Sequence, residues 1–139
     1  MIAWWPGTVA KGSTSDHVAY FGDWMATAAE LAGTKPPANC DSISFAPTLL
    51  GRPGAQASHE FLYWEFHERG FSQAALYRGR WKGIRERRAD APLALYDLDG
   101  DIGETTDVAA DHPGIVARID AYLKTARSDS PDWPVRSAD

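Results

Sequence analysis

A single cysteine, Cys40, stands among 139 residues. No intrachain disulfide can form, and cysteine usage assigns no redox compartment. No apolar run approaches the ~20 residues that a helix needs to cross a bilayer, so no membrane span is expected. Met1 is followed at once by Ile2-Ala3-Trp4-Trp5-Pro6, without the basic and apolar regions of a secretory leader, and the compartment stays unassigned. Positive charge is also scarce: 14 Lys and Arg stand against 19 Asp and Glu, a net charge of −5. That balance disfavours phosphate-backbone binding, which needs a concentrated positive surface, so no nucleic-acid partner is expected. Internal repeats and low-complexity segments are missing too. What remains is a globular composition, 44% hydrophobic and 24% charged, of a size suited to one domain or part of a larger one.

Read along the chain, residues 1–5 form an apolar run stopped by Pro6-Gly7, the pattern of a short strand ending in a turn. It is apolar on both faces, as a buried parallel strand would be. Asp23 is placed to cap a helix over residues 24–32 by accepting backbone N–H bonds, and Gly33 to close it. Trp24, Ala28 and Leu31 would form its packed face. Pro47-Thr48-Leu49-Leu50-Gly51 suggests one helical turn. The texture changes near residue 59. Residues 61–66, 73–77, 81–84 and 93–98 are short strand-like runs that predict a small antiparallel sheet. A last helix is predicted over residues 114–126, with Ile115, Ile119, Tyr122 and Leu123 as its apolar stripe. The tail beyond it is polar and expected to pack through Trp133. Trp64 and Trp81 are expected in the core.

The most distinctive block runs from Leu95-Tyr96-Asp97-Leu98 through the acidic turn Asp99-Gly100-Asp101-Ile102-Gly103-Glu104 to Asp107-Val108-Ala109. It resembles the "LYDL…D…E…NLA" signature near the C-terminus of type I sulfatases, the arylsulfatase and choline-sulfatase superfamily, with Asp107-Val108-Ala109 where the pattern has Asn-Leu-Ala. Met1-Ile-Ala-Trp-Trp-Pro-Gly7 is similar to the family's strand ending in Trp-Pro-Gly. Tyr63-Trp-Glu-Phe-His67, followed by Gln73 and Gly79-Arg-Trp-Lys82, makes a third match in the family's order.

The resemblance implies an alkaline-phosphatase-like parent enzyme, a sulfuric ester hydrolase of which this chain matches only the last third. It also implies a formylglycine nucleophile made in a Cys/Ser-x-Pro-x-Arg motif, a calcium held by three Asp and one Asn or Gln, and cationic side chains on the sulfate. None of those motifs is present: Cys40 is followed by Asp41-Ser42-Ile43-Ser44. No catalytic residue, metal ligand or cofactor is therefore assigned to this chain. Its expected partners are the N-terminal sulfatase domain and, in the parent, a sulfated small molecule or glycan. Residues 1–55 would be the end of the larger α/β domain. Residues 56–139 would be an α+β C-terminal subdomain, a sheet of about four strands packed by the last helix.

His67 is the best candidate for function, because it follows a strand and opens a charged loop. The resemblance puts His67, with Glu68 or Gln73, near the group carrying the sulfate; the plainer reading pairs His67 with Glu65 or Glu68. Cys40 reads as a loop side chain rather than a reactive thiol, since Asp41 opposes thiolate formation. The carboxylates of Asp97, Asp99, Asp101 and Glu104 fail the spacing of an EF-hand and read as turn formers, with Glu104 anchoring nearby backbone. The basic set Arg78, Arg80, Lys82, Arg85, Arg87 and Arg88 reads as solvated, edge-protecting charge. Asp16 and His17 read as structural. A different class of function, a free-standing carbohydrate- or protein-binding module, is suggested by six Trp and five Tyr, since flat rings stack on sugars. The apolar start of the chain predicts self-association.

Overall fold

Tyr77-Arg78-Gly79-Arg80 turns the chain back on itself with positive φ at both central residues, 52° at Arg78 and 70° at Gly79, and the Arg80 N–H donates to the Tyr77 carbonyl at 3.2 Å. Such a turn matches the right-handed twist of the strands that it joins. It connects two members of a four-stranded meander: β1 (Phe61–Phe66), β2 (Phe71–Tyr77), β3 (Trp81–Arg87) and β4 (Ala94–Asp97), all neighbours antiparallel in the order β1-β2-β3-β4. The computed structural model describes residues 1–67 and 70–132, in two units, Met1–His59 and Glu60–Asp139.

In the second unit, period-two alternation sorts side chains onto two faces. Register aligns Phe61, Tyr77 and Trp81 in one row, and Tyr63, Ala75, Gly83 and Leu95 in the next. This face receives α3 (Pro113–Leu123), which starts with a proline in its first turn, where the missing N–H is no loss. Ile119 and Leu123 are buried there with Ala75, Tyr77, Leu93 and Leu95, and Tyr122 stacks on Phe61 at 4.1 Å. Gly83 allows the close approach: a Cβ at that position would lie 2.8 Å from Ile119 Cγ2 and 2.9 Å from Leu93 Cδ2. The antiparallel sheet with its C-terminal helix is the α+β architecture that the sequence predicts. The helix ends at Leu123, three residues short of the predicted 126.

Trp64 corrects an expectation. It lies with Ala74, Ile84 and Ala94 on the face away from α3 and is 44% exposed. A groove of about 350 Å³ on this face is lined by Trp64, Ala74, Leu76, Lys82, Leu98 and Glu104. Trp81 is half-buried against the core, its ring 4.6 Å from that of His112.

In the first unit, α1 (Trp24–Leu31) follows a single 3-10 turn over Phe21–Asp23. Gly33, at φ 69°, closes the helix: its N–H donates to Glu30 and that of Thr34 to Ala29, the paired bonds of a left-handed C-terminal cap. The predicted packed face is corrected. Trp24 and Leu31 are exposed, whereas Ala26, Thr27 and Ala29 are buried. The reason is polar. Ser42 Oγ accepts from the Ala26 N–H and donates to the Gly22 carbonyl, and Thr27 Oγ1 accepts from the Phe45 N–H. These bonds hold the segment leading into α2 (Ala46–Leu49) along that side of α1.

Residues 1–5 form no strand, and Met1, Ile2 and Trp4 are exposed. A strand needs a neighbour for its N–H and C=O groups, and among the described residues none pairs with them. The predicted Pro-Gly stop is present: the Thr8 and Val9 N–H groups both donate to Trp5 O around Gly7 at φ 80°. Trp133 lies outside the described residues.

Candidate functional site

Tyr63 and Glu65 alternate along β1, and His67 follows directly at the same spacing, so the three side chains share the α3 side of the sheet. His67 Nε2 lies 2.7 Å from Glu65 Oε1. The Tyr63 hydroxyl donates a short bond to Glu65 Oε2. Gln73, opposite Glu65 in register, donates to the Tyr63 hydroxyl at 3.1 Å and to the Leu123 carbonyl at 3.3 Å. Arg127, just past α3, places Nε 3.4 Å from Glu65 Oε1. The Phe71 ring meets His67 edge-on at 5.6 Å.

The electrostatics follow from this packing. Burial opposes ionisation of Glu65, but hydrogen bonds from Tyr63 and His67 and the charge of Arg127 outweigh it and hold the carboxyl below its ordinary range. The Tyr63 phenol is pushed up to about 12, first by burial and then by its bond to the Glu65 carboxylate. Glu65 is therefore an anion holding two donors, and His67 stands at the outer end with 21% of its side chain exposed.

Of the residues singled out from sequence, His67 and Gln73 join one network through Glu65 and Tyr63. His67 takes the partner named in its plainer reading, Glu65. Gln73 is 7% exposed and directs its amide inward, where it holds Tyr63. Glu68 lies outside the described residues. Tyr63 and Arg127 were not singled out from sequence. The alternation Tyr63, Glu65, His67 carried the signal for the first; nothing local signals the second, sixty positions further on.

The other charged groups are engaged elsewhere. Arg80 makes a two-pronged pair with Asp97 at 2.8 and 2.7 Å. Arg85, at 7% exposure, bonds the Ala91 carbonyl and Asp120, and Arg88 bonds Asp90. In the acidic turn, Asp101 accepts the Thr105 and Thr106 N–H groups and Asp107 those of Leu95 and Ala109, the backbone work expected of a turn. Glu104 instead pairs with the side chain of Lys82. Among the described residues no three His, Cys, Asp or Glu side chains gather to hold a metal. Cys40 is half-buried and lacks the Pro and Arg of a formylglycine motif. The described residues thus fit neither a calcium ion nor a formylglycine.

A second polar cluster, unpredicted from sequence, lies in the first unit. The fully buried Asp23 carboxylate accepts from the Tyr20 N–H at 3.0 Å and the Ile43 N–H at 2.9 Å, and meets His59 Nε2 at 2.8 Å. Asp23 thus bonds the flanking chain rather than the amides of α1 that it was expected to cap. With its carboxylate fully buried, this cluster staples chain segments together.

No protein-family profile matches the chain. Over 83 residues it is 34% identical to the N-acetylgalactosamine-6-sulfatase of Mus musculus, covering 58% of this chain and 15% of that protein. Over 51 residues it is 39% identical to the ulvan-active sulfatase of Formosa agariphila, covering 37% and 10%. A solved structure described for the metabolism of multiple glycosaminoglycans by Bacteroides thetaiotaomicron superimposes with a TM-score of 0.56 at 25% identity, covering 75% of this chain and 24% of that one. Another, in complex with its substrate D-glucosamine-2-N,6-O-disulfate, superimposes with a TM-score of 0.70 at 18% identity, covering 88% and 26%; that likeness concerns the fold alone. The chain spans less than a third of the length of each of these proteins.

Proposed function

Because this chain is a C-terminal sulfatase part, we propose that it completes the fold of a sulfuric ester hydrolase and borders the cleft that receives a sulfated saccharide. It supplies no group that breaks the ester bond. Residues 1–55 belong in this reading to the end of the larger α/β domain, and residues 56–139 form the subdomain that walls the cleft. The activities named for the relatives bring the substrate class. What supports the reading is the Tyr63–Glu65–His67 array, an anion holding a partly exposed imidazole at the end of β1. In this reading His67, together with Glu68, which follows it in the sequence, meets the sugar, and Gln73 holds the array through Tyr63.

A second reading has its own observation. Trp64 is 44% exposed beside an apolar groove rimmed by the Lys82–Glu104 pair, which suits stacking of a sugar ring by a binding module. One titration separates the two. With N-acetylgalactosamine 6-sulfate added to the isotope-labelled chain, shifts should cluster at Tyr63, His67 and Phe71. Shifts confined to Trp64 and Leu76 would favour the module, and saturating sugar without shifts at either place would count against both.

A further inference from the structure

His67 Nε2 sits 2.7 Å from a carboxylate oxygen of Glu65. An ionised carboxylate can only accept, so Nε2 carries the proton. In the neutral imidazole the other nitrogen, Nδ1, is then a bare acceptor. Among the described residues no hydrogen-bond donor meets Nδ1, and the side chain keeps 21% of its surface. Glu65 itself cannot easily swing away: Tyr63 holds its second oxygen, Gln73 holds Tyr63, and Arg127 flanks the first oxygen.

We infer that Glu65 is a positioning residue that fixes the His67 tautomer, so that Nδ1 reads a sugar hydroxyl or amide N–H and not the sulfate group. This rests on the proposed place of His67 beside the substrate and narrows what it recognises there. A sulfate oxygen carries no proton and would meet Nδ1 lone pair to lone pair. A hydroxyl donates to it. His67 thus selects for the ring that bears the ester, and recognition of the anion falls to cations elsewhere in the parent enzyme.

The test uses the full chain with isotope-labelled histidine at about pH 8, above the ordinary histidine range. Nitrogen chemical shifts should show His67 protonated at Nε2. Tyr63→Phe, which removes one hold on Glu65 but neither partner of the Glu65–His67 contact, should keep that tautomer. Glu65→Gln, whose amide can donate as well as accept, should mix the two tautomers; if that variant does not fold, the wild-type and Tyr63→Phe spectra still decide the assignment. Adding methyl galactoside should shift Nδ1, and adding inorganic sulfate should leave it unmoved. Protonation at Nδ1 in the wild type, or a tautomer unchanged in folded Glu65→Gln, overturns the positioning role. A response to sulfate without one to the sugar overturns the hydroxyl assignment and leaves the cleft reading standing. No response to either probe, with the Nε2–H tautomer present, removes His67 from the substrate site and takes this inference with it.

Discussion

At the scale of single residues, Glu65 and Tyr63 tie the site to pH from opposite ends. The Glu65 carboxyl is held below its ordinary value of 4.5, so folding favours its ionised form. That stabilisation is complete above the ordinary value and is lost as pH falls through the lowered one. The Tyr63 phenol is raised from 10.0 to about 12, so folding favours its protonated form. Its contribution is complete below pH 10.0 and disappears as pH rises towards about 12. Phenolate absorbance should accordingly show a tyrosine titrating near pH 12. Replacing Glu65 by Gln should bring that titration down towards 10.0, because the acceptor of the Tyr63 proton loses its negative charge; an unchanged titration would mean that burial alone sets it.

Residue types also limit what the sequence could reveal here. The alternation Tyr63, Glu65, His67 is readable, since a strand puts alternate residues on one side. Arg127 is not, because it arrives through the packing of α3. The Asp23–His59 contact is hidden in the same way: Asp23 before a helix reads as a cap, and only the fold brings Ile43 and His59 to its oxygens.

Among the elements, β1 to β4 and α3 were readable because each carries its own period. Two were enough to place the helix on the sheet, but alternation names two faces without saying which is covered. Trp64 was assigned to the wrong one for that reason. Truncating a core tryptophan costs roughly 3–5 kcal/mol. Trp64→Ala should cost clearly less, since the ring is already 44% exposed, and urea denaturation would expose the error if the loss reached the full core value. Gly83→Ala tests the α3 side. The added methyl would press on Ile119 and Leu93, and overpacking of this kind costs about 1–3 kcal/mol. A variant as stable as the wild type would show that α3 is held less closely than the structure has it.

On the scale of the molecule, the opening residues show what sequence pattern cannot supply. Residues 1–5 have the composition of a strand, yet a strand exists only with neighbours, and among the described residues none pairs with them. Met1, Ile2, Trp4, Phe21 and Met25 are left as exposed large apolar side chains of the first unit, and such surface favours association. We predict a homodimer or larger assembly drawing on this set. Sedimentation over a range of concentrations should show it, and Trp4→Ser with Phe21→Ser should shift the chain towards monomer. A wild-type monomer throughout would argue that this apolar surface is tolerated in water.

We propose that this chain serves a sulfatase as its substrate-bordering C-terminal part and holds none of the ester-cleaving chemistry. Hydrolysis of an aryl sulfate by the purified chain, with Ca²⁺ supplied, tests that most directly. We expect no turnover above the uncatalysed rate. Turnover that persists through repurification and is abolished in His67→Ala would contradict it.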